Sequence, residues 1–342
     1  MKCPICGDDC VKNAHEIIDI LPTIFSRCPD CRFRMLDKKA PLPNRYFETP
    51  CKCGKRFIDE VYAHIYVILV EEGIFNGTEP ISAVGSPLVH PGFFMKNPPF
   101  LPKNSLVLLS RNLNSKVSGR IVDEVPEIRA VIRSDDSVPG ISDIDLDGMP
   151  DTYTLLAGCD IRANVFDTSS GPIVLYKQQS TMHIEFPRRF NPKIKGVGEK
   201  IAAFHPEHFI DACCGAGTLG LTAARMGVPH VIMNDAWYAA AFWAAYNIQV
   251  NREYFKLEDV RIVRGYEEMK NEPVVKEPKI VAEATGTQNI EVYQADFARL
   301  YSVLPDAPVL AVIDLFEKSD KAATNEVIRQ WREHVAGEVF IP

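Results

Sequence analysis

The sequence predicts an α/β protein in which a doubly wound carboxyl-terminal domain follows a β-rich α+β domain and a small cysteine-rich module. Three observations lead to this prediction. Seven of the ten cysteines lie in the first 53 residues, six prolines fall between residues 80 and 102, and residues 209–235 have the pattern strand, glycine-rich turn, helix, strand. We place the module at residues 1–60, the α+β domain at 61–185 with a proline-rich linker at 80–102, and the Rossmann-like domain at 186–342.

Composition limits the broad class of protein. With 342 residues, of which 46% are hydrophobic and 24% charged, the chain has the composition of an ordinary soluble globular protein. Its net charge of −7 provides no global basic field for a polyanion, although a local patch can still bind phosphates. No apolar run approaches the roughly 18 residues that a membrane span needs, and the start MKCPICGDD lacks the apolar core of a signal peptide. We therefore expect a cytoplasmic protein with no membrane partner.

The cysteines of the first module come in closely spaced pairs. Cys-x-x-Cys and Cys-x-Cys pairs direct two thiolates toward one ion, and zinc takes four ligands in a tetrahedral array. The predicted ligands of a structural Zn2+ are Cys3, Cys6, Cys28, Cys31, Cys51 and Cys53. One combination is Cys28, Cys31, Cys51 and Cys53, and the alternative is Cys3 and Cys6 with Cys28 and Cys31. A second site could recruit Cys10 with His15 or His64. Free thiols and an iron–sulfur cluster are further alternatives.

Basic and aromatic residues surround these cysteines. They are Lys12, Arg27, Arg32, Arg34, Lys38, Lys39, Arg45, Lys52, Lys55 and Arg56, interleaved with Phe33, Tyr46, Phe47 and Phe57. Such a surface could hold a phosphate backbone and stack bases. The alternative is a solvated face around a small metal core.

The middle of the chain has the prolines and the short, turn-separated apolar runs of a mostly β domain. The density of proline between residues 80 and 102 excludes a long helix or a central strand there. Short β-like runs follow at Leu106–Leu109, Arg120–Val122, Ile128–Ile132, Tyr153–Leu156, Ile161–Phe166, Ile173–Tyr176 and Met182–Phe186. Turn-separated runs of this length predict an α+β or mostly β arrangement.

Residues 209–235, FIDACCGAGTLGLTAARMGVPHVIMND, organise the carboxyl-terminal domain. Apolar residues begin a buried strand, glycines allow a tight turn, and the next eight residues have helix-forming composition. Gly227 and then Pro229 end the helix, and a second apolar strand closes at Asp235. Such a βαβ unit presents main-chain N–H groups to a ligand, and an acid at the tip of its second strand can accept both hydroxyls of a ribose. The pattern predicts a nucleoside-binding site.

Asp211, at the end of the first strand, favours one class of nucleoside ligand. Gly215, Gly217 and Gly220 also match the dinucleotide pattern G-x-G-x-x-G, so a nicotinamide cofactor is the alternative. A pyrophosphate disfavours a nearby carboxylate, whereas the sulfonium and ammonium groups of S-adenosylmethionine are attracted to it. We therefore predict S-adenosylmethionine as the ligand.

The segment D-A-C-C-G-A-G-T-L-G-L, which starts at Asp211, resembles the first motif of class I S-adenosylmethionine-dependent methyltransferases. More narrowly, it is similar to the RNA-modifying branch that includes tRNA and ribosomal-RNA guanine methyltransferases. Similar segments follow at Tyr246–Asn251, Val292–Asp296 and Leu310–Lys318, so the resemblance covers roughly the last two fifths of the chain.

This resemblance implies a set of cofactor contacts. Asp235 would bind the ribose, Ala236 or Trp237 would pack on the adenine, and Asp296 would accept from its amino group. The complete implied set is Asp211, Cys213, Gly215, Gly217, Asp235, Ala236, Trp237, Asp296 and Phe297.

The chain departs from the family in the loop after the fourth strand. Amino-methyltransferases that resemble it carry Asn-Pro-Pro or Asp-Pro-Pro there, which holds a flipped base, whereas this chain has Asp-Leu-Phe-Glu. Asp314 and Glu317 are the predicted catalytic residues, the first to orient an acceptor amine and the second to act as a base. Residues 260–263 and 279–282 predict two extra strands. The sequence ends before the last two of the family's usual seven strands, so the sheet is either shortened or completed by the α+β domain.

Taken together, these features predict a methyltransferase with RNA as the first candidate for the acceptor. A protein or small-molecule acceptor is the alternative, favoured by the acidic net charge and the missing prolines. A second alternative is a non-catalytic, zinc-containing binding protein that retains a nucleoside pocket.

Overall fold

The computed structural model of the protein describes residues 1–141, 149–316, 318 and 320–342. The elements of its first half are α1 (Ala14–Ile24), β1 (Arg56–Phe57), α2 (Ile58–Glu71), β2 (Ser86–Val89), β3 (Phe100–Leu101), β4 (Leu106–Ser110), α3 (Ser115–Glu124), β5 (Ile128–Arg133), β6 (Thr154–Gly158), β7 (Ile161–Thr168) and β8 (Gly171–Gln178). Those of its second half are α4 (Pro192–Phe204), β9 (His208–Asp211), α5 (Thr218–Arg225), β10 (His230–Asn234), α6 (Tyr238–Val250), β11 (Leu257–Ile262), α7 (Tyr266–Lys270), β12 (Lys279–Gly286), β13 (Asn289–Gln294), β14 (Val309–Val312), α8 (Lys321–Arg332) and β15 (Gly337–Phe340). Within the described ranges, no helix has the length and apolar character needed to cross a membrane.

A four-stranded mixed sheet forms the centre of the middle region, in the order β2-β4-β5-β6. β4 and β5 run parallel because α3 crosses between them, whereas β2 and β6 pair antiparallel at the two edges. The predicted strand at Arg120–Val122 is wrong, because these residues lie within α3. Asn114 caps that helix by accepting from the N–H of Val117 at 3.0 Å, and the apolar residues then follow a helical period. Met182–Phe186 does not form a strand either.

A seven-stranded sheet, in the order β11-β12-β13-β10-β9-β14-β15, forms the carboxyl-terminal domain. Five adjacent strands from β13 to β15 run parallel, with the first strand of the domain, β9, between β10 and β14. The two predicted extra strands are confirmed as β11 and β12, which pair antiparallel at the edge beside β13. All seven strands come from residues 208–340, so the α+β domain does not complete this sheet. The observed architecture confirms the predicted Rossmann-like α/β fold.

Packing crosses the predicted domain boundaries. Val11, Ala14 and Ile17 of the amino-terminal segment belong to the same buried cluster as α5 and α6. The β7–β8 hairpin also packs into this cluster. The middle sheet and α2 form a second core of their own. The amino-terminal segment and the hairpin are therefore structural parts of the carboxyl-terminal core.

α6 is buried on all sides, with 12 of its 13 residues out of solvent. Asn247 of α6 and Asn251, which directly follows the helix, are buried amides, and both satisfy the main chain of β8. Asn247 pairs with the N–H and carbonyl of Tyr176, and Asn251 pairs in the same way with Val174. These amides satisfy main-chain groups of the hairpin edge that faces the helix, which makes burial of that edge possible.

Candidate functional site

The glycine-rich turn between β9 and α5 is a tight bend with an open outer face. Gly215 (φ +53°) and Gly217 (φ +92°) have left-handed conformations that glycine adopts without strain. A Cβ atom on Gly215 would meet no described atom within 4 Å, so a ligand can approach the main chain closely there. On the inner face, a Cβ atom on Gly220 would lie 2.4 Å from Cγ of Met233, so α5 needs glycine to pack against β10. The turn therefore presents its outer side to a ligand.

Asp211 lies beneath this turn and is fully buried. Its Oδ2 accepts from the N–H of Gly220 at 2.8 Å, which holds the first turn of α5. Its Oδ1 has no hydrogen-bond partner among the described residues. Burial, with the nearby charges of Asp314 and Asp235, raises the pKa of Asp211 to about 8. The carboxyl group therefore favours its protonated form near neutral pH unless a cation or a donor approaches Oδ1.

Asp235 connects the end of β10 to the same turn. Its Oδ2 accepts from the N–H of Gly215 at 2.9 Å, and its Oδ1 accepts from the N–H of Trp237 at 2.9 Å. The residue is partly exposed, and desolvation raises the pKa of its carboxyl group to about 6. Each carboxylate oxygen has a second lone pair, which leaves acceptor capacity for the hydroxyls of a ribose.

Asn234, which the sequence analysis did not single out, joins three strand ends. Its Nδ2 donates to the carbonyl oxygens of Ala212 and Ala295, each at 3.0 Å. The side chain is fully buried and fixes the carboxyl ends of β9, β10 and β13 relative to one another. An asparagine directly before the predicted ribose acid was the signal in the sequence that could have identified it.

Asp296 lies at the carboxyl end of β13. Its Oδ1 accepts from the N–H of Ala298 at 2.9 Å, which caps the 3₁₀ turn Phe297–Val303. Phe297 is half-buried and packs against the apolar cluster that contains Ile210 and Ile313. Both residues therefore lie at the carboxyl ends of the parallel strands, as Asp211 and Asp235 do.

Ala236 and Trp237 lie in different environments. Ala236 is half-buried, and its carbonyl oxygen accepts from Nε2 of Gln294 at 3.3 Å. Trp237 is buried, and its indole Nε1 donates to the carbonyl oxygen of Thr181 at 3.1 Å. The indole thus contacts the segment that precedes α4, and the adenine contact predicted for one of these two residues stays a prediction.

Cys213 and Cys214 are packed within the turn. Cys213 is half-buried, and the N–H of Cys214 donates to the carbonyl oxygen of Asn234 at 2.8 Å. Desolvation and the neighbouring carboxylates raise the pKa of both thiols well above their ordinary value. A thiol that stays protonated is a poor nucleophile, so the surroundings of these two residues do not favour a nucleophilic role.

Asp314 follows the end of β14, on the other side of β9 from Asp235. Nζ of Lys193, at the start of α4, lies 2.8 and 3.0 Å from its two carboxylate oxygens, and Lys318 also pairs with it. The sequence alone does not pair either lysine with Asp314. Phe316 is 62% exposed, and its ring centroid lies 6.0 Å from that of His183. The predicted catalytic residue Glu317 lies outside the described residues.

The cysteines form two groups of four. The first group comprises Cys28, Cys31, Cys51 and Cys53, and the second comprises Cys3, Cys6, Cys10 and Cys159. Within each group the sulfur atoms lie within 4.8 Å of one another. Cys3 and Cys6 thus do not combine with Cys28 and Cys31. His15 and His64 belong to neither group, since His15 lies beside Glu253 and His64 hydrogen-bonds Arg56.

Much of the basic and aromatic surface predicted around the amino-terminal cysteines is exposed. Phe33 and Tyr46 are 51% and 50% exposed, and the guanidinium groups of Arg27 and Arg34 lie 5.5 and 5.7 Å from their ring centroids. Arg56 and Phe57 are exceptions, because both are buried, and Arg56 pairs with Glu127 at 2.5 Å. The interleaving of cations and rings is therefore present without these two residues.

Two cavities lie away from the carboxylates at the strand ends. One, of about 590 Å³, is lined by His208 and His230 at the amino ends of β9 and β10, opposite the glycine-rich turn. The other, of about 430 Å³, lies between the tip of the β7–β8 hairpin and α4. The candidate site at the strand ends is therefore marked by its main-chain turn and acids, and neither of these two cavities contains it.

No model of a known protein family matches the sequence, and no curated protein matches it. Among solved structures, the chain is similar to P. horikoshii TYW2 in complex with MeSAdo, with 15% identity and a TM-score of 0.40 over 81% of this chain and 76% of that one. It is also similar to wild-type Trm5b from Pyrococcus abyssi, with 13% identity and a TM-score of 0.36 over 69% of this chain and 57% of that one. An activity for this chain therefore has to be inferred from its own residues.

Proposed function

We propose that the protein is an S-adenosylmethionine-dependent methyltransferase with an RNA acceptor. The observation that carries the proposal is the position of Gly215, Asp235 and Asp296, which follow three adjacent parallel strands at one edge of the sheet. Strand order reverses at β9, and doubly wound sheets bind nucleosides in the crevice at such a point. The open face at Gly215 provides room for a ligand there.

Each acid at the carboxyl ends of these strands would contact a different part of S-adenosylmethionine. Asp235 would accept from the ribose hydroxyls, and Asp296 from the adenine amino group. The main chain at Gly215 and Gly217, with Cys213, Ala236, Trp237 and Phe297 around it, would shape the pocket. The resulting set combines carboxylates for the nucleoside polar groups with small or aromatic residues for its rings.

Asp211 distinguishes S-adenosylmethionine from a dinucleotide. Its Oδ1 is buried without a partner among the described residues, beneath the glycine-rich turn. A ligand with a cationic amino-acid end would lower the pKa of this carboxyl group and stabilise its ionised form. A pyrophosphate would have the opposite effect, so the geometry of Asp211 supports the cationic ligand.

Methyl transfer is an in-line displacement for which alignment is the main contribution of the protein. S-adenosylmethionine supplies an electrophilic methyl group. A lone pair of the acceptor forms the new bond to this carbon, the sulfur–carbon bond breaks toward sulfur, and the acceptor loses a proton. We assign Asp314 to orient the acceptor and Glu317 to take up the proton. Lys193 and Lys318 pair with Asp314 and fix the position of its carboxylate.

A basic and aromatic surface next to Asp314 supports RNA as the acceptor. Phe186 and Phe190 are each 59% exposed, and Arg188 and Arg189 between them are exposed as well. Nζ of Lys195 lies 5.5 Å from the ring centroid of Phe190. Exposed rings between cations can stack unpaired bases while the cations contact phosphates.

We propose that the first cysteine group holds a structural zinc ion. The Sγ–Sγ distances are 3.6 Å for Cys28–Cys31, 3.6 Å for Cys28–Cys51 and 3.5 Å for Cys31–Cys53. Four ligands at about 2.3 Å from one ion in a tetrahedral array lie about 3.8 Å apart. The donor set therefore fits zinc, which would order the segment that carries Phe33 and Tyr46.

Two measurements test the proposal. Calorimetry should detect binding of S-adenosylmethionine and S-adenosylhomocysteine and no binding of NAD, and affinity for NAD alone would contradict it. Labelled methyl transfer into cell extract, fractionated into RNA, protein and metabolites, should place the label in RNA. Label in protein or in metabolites would instead establish the acceptor class that the net charge of −7 favours.

A further inference from the structure

The second cysteine group has the dimensions of a site for one metal ion. The Sγ–Sγ distances are 3.8 Å for Cys3–Cys159, 3.8 Å for Cys10–Cys159 and 3.5 Å for Cys6–Cys10. A disulfide would bring two sulfur atoms to about 2.05 Å, whereas four thiolates around one zinc ion lie about 3.8 Å apart. An iron–sulfur cluster holds its cysteines further apart, because several iron and sulfide atoms lie between them. The separations therefore fit a single ion.

The backbone around these cysteines is shaped to present them. Gly7 has φ +77°, and its N–H donates to the carbonyl oxygen of Cys3 at 3.0 Å, which closes a tight turn around the first pair. The N–H of Ile5 lies 3.5 Å from Sγ of Cys3, in the position of an N–H···S bond that stabilises a thiolate. The first cysteine group has the same kind of turn, since Gly54 has φ +79° and its N–H donates to the carbonyl oxygen of Cys51 at 2.7 Å.

The fourth cysteine comes from a turn that is distant in sequence. Gly158 has φ +78°, and a Cβ atom there would lie 2.1 Å from the carbonyl oxygen of Arg129, so only glycine fits. The N–H of Cys159 donates to that same oxygen at 3.1 Å. The guanidinium of Arg129 in turn donates to the carbonyl oxygen of Cys10 at 3.2 Å. The turn between β6 and β7 thereby holds Cys159 against the amino-terminal pair.

The group also lies against the core of the carboxyl-terminal domain. Cys3 is 3% exposed, and the hydroxyl of Tyr246 on α6 donates to the carbonyl oxygen of Lys2 at 2.6 Å. The N–H of Lys12 donates to the hydroxyl of Tyr176 on β8 at 3.0 Å. Tyr246 directly precedes Asn247, and the side chain of Asn247 accepts a hydrogen bond from the main-chain N–H of Tyr176. A cross-link at this group would therefore fasten the amino-terminal segment to α6 and to the hairpin.

We propose that Cys3, Cys6, Cys10 and Cys159 form a second zinc site, which fastens the amino-terminal segment onto the core of the carboxyl-terminal domain. The site has four thiolate donors and no open ligand position, as structural zinc requires. Binding of the ion releases the thiol protons and involves no redox step. The proposal concerns the architecture of the chain and stands whether or not the protein transfers methyl groups.

Metal analysis and hydrogen exchange of the full-length protein test this site. The wild-type chain should hold about two zinc ions, and Cys159→Ser and Cys53→Ser should each hold about one. In Cys159→Ser, exchange should accelerate at least about tenfold in residues 1–24 and 171–178, with residues 26–57 unchanged. Cys53→Ser is the matched control, because it should show the reverse pattern.

Three results would overturn the proposal. They are a wild-type chain with about one zinc ion that Cys53→Ser loses, a Cys159→Ser chain that retains the wild-type content, and iron in place of zinc at this group. Should Cys159→Ser fail to fold, Cys6→Ser keeps the question open to test, because Cys6 is exposed and its loss removes one ligand without changing the core. That variant should also lose about one zinc ion, and retention of both would exclude the site.

Discussion

Asn247 and Ala216 form the hydrogen bond that connects α6 to the glycine-rich turn, with Nδ2 of Asn247 donating to the carbonyl oxygen of Ala216 at 3.0 Å. The same side chain accepts from the N–H of Tyr176 at 2.7 Å and donates to its carbonyl oxygen at 2.9 Å. One buried amide thus joins a helix, a hairpin strand and the turn. The position of the turn therefore depends on residues that the donor itself would not touch.

Asn247→Ala should destabilise the protein by about 2–4 kcal/mol, because it leaves buried main-chain groups of two segments without partners. Urea unfolding measures this loss. The variant should also bind S-adenosylmethionine more weakly, by about tenfold, since the turn loses a support.

Asn251→Ala is the control for that variant. Asn251 makes the equivalent pair with Val174, at 3.0 and 2.6 Å, and makes no hydrogen bond to the turn among the described residues. Its loss should lower stability to a similar degree while affinity stays within about twofold of wild type. Equal losses of affinity in the two variants would show that Asn247 does not act through Ala216.

Asp211 should make the unliganded protein less stable as the pH rises. Burial raises the pKa of this carboxyl group from 3.8 to about 8, so between these values the folded state binds a proton that the unfolded state has released. The bound proton stabilises the folded state at low pH. The free energy of unfolding then falls as the pH rises toward 8, by up to about 1.4 kcal/mol per pH unit. Urea unfolding of wild type and Asp211→Asn at pH 5, 6, 7 and 8 measures the slope.

The slope should be smaller in Asp211→Asn, because the amide does not titrate. Asp235→Asn is the comparison, since the pKa of Asp235 is raised less, to about 6, and its contribution should be lost at lower pH. An unchanged slope in Asp211→Asn would mean that this carboxyl group does not titrate in the expected window.

The βαβ unit from β9 to β10 was predictable because its signals are local. Glycines at the turn, the Gly227–Pro229 stop and the apolar strands all lie within one short stretch. The two extra strands were predictable for the same reason. The strand predicted at Arg120–Val122 was wrong because two adjacent apolar residues fit a helix as well as a strand, and the cap at Asn114 decides between them.

Partners that are distant in sequence were not predictable. Nothing near Cys159 marks it as a partner of Cys3, because only the turn at Gly158 brings it there. The burial of Arg56 was equally hidden, since it depends on a pairing with Glu127, which directly precedes β5. Sequence spacing could thus supply candidate ligands and acids, whereas three-dimensional packing decided which of them meet.

Asp314→Asn should lower the rate of methyl transfer by about 10-fold to 100-fold, because the acceptor loses the group that orients it. Affinity for S-adenosylmethionine should stay within about twofold, since Asp314 lies on the acceptor side of β9. Single-turnover kinetics and calorimetry measure the two quantities. Asp306→Asn is the control, because this carboxylate is exposed on the loop before β14 and should affect neither. A loss of donor affinity with an unchanged rate would reverse the assignment.

Replacing both Arg188 and Arg189 by Ala should weaken RNA binding and reduce its salt dependence. Each lost phosphate contact lowers the slope of log affinity against log salt concentration by about one. Filter binding of a labelled RNA substrate at several salt concentrations measures this slope. Arg329→Ala is the matched control, because Arg329 is an exposed arginine of α8 that pairs with Glu326 at 2.6 Å. Donor binding should be unchanged in all three proteins, and equal slopes for the double variant and the control would show that the surface beside Phe190 does not contact the acceptor.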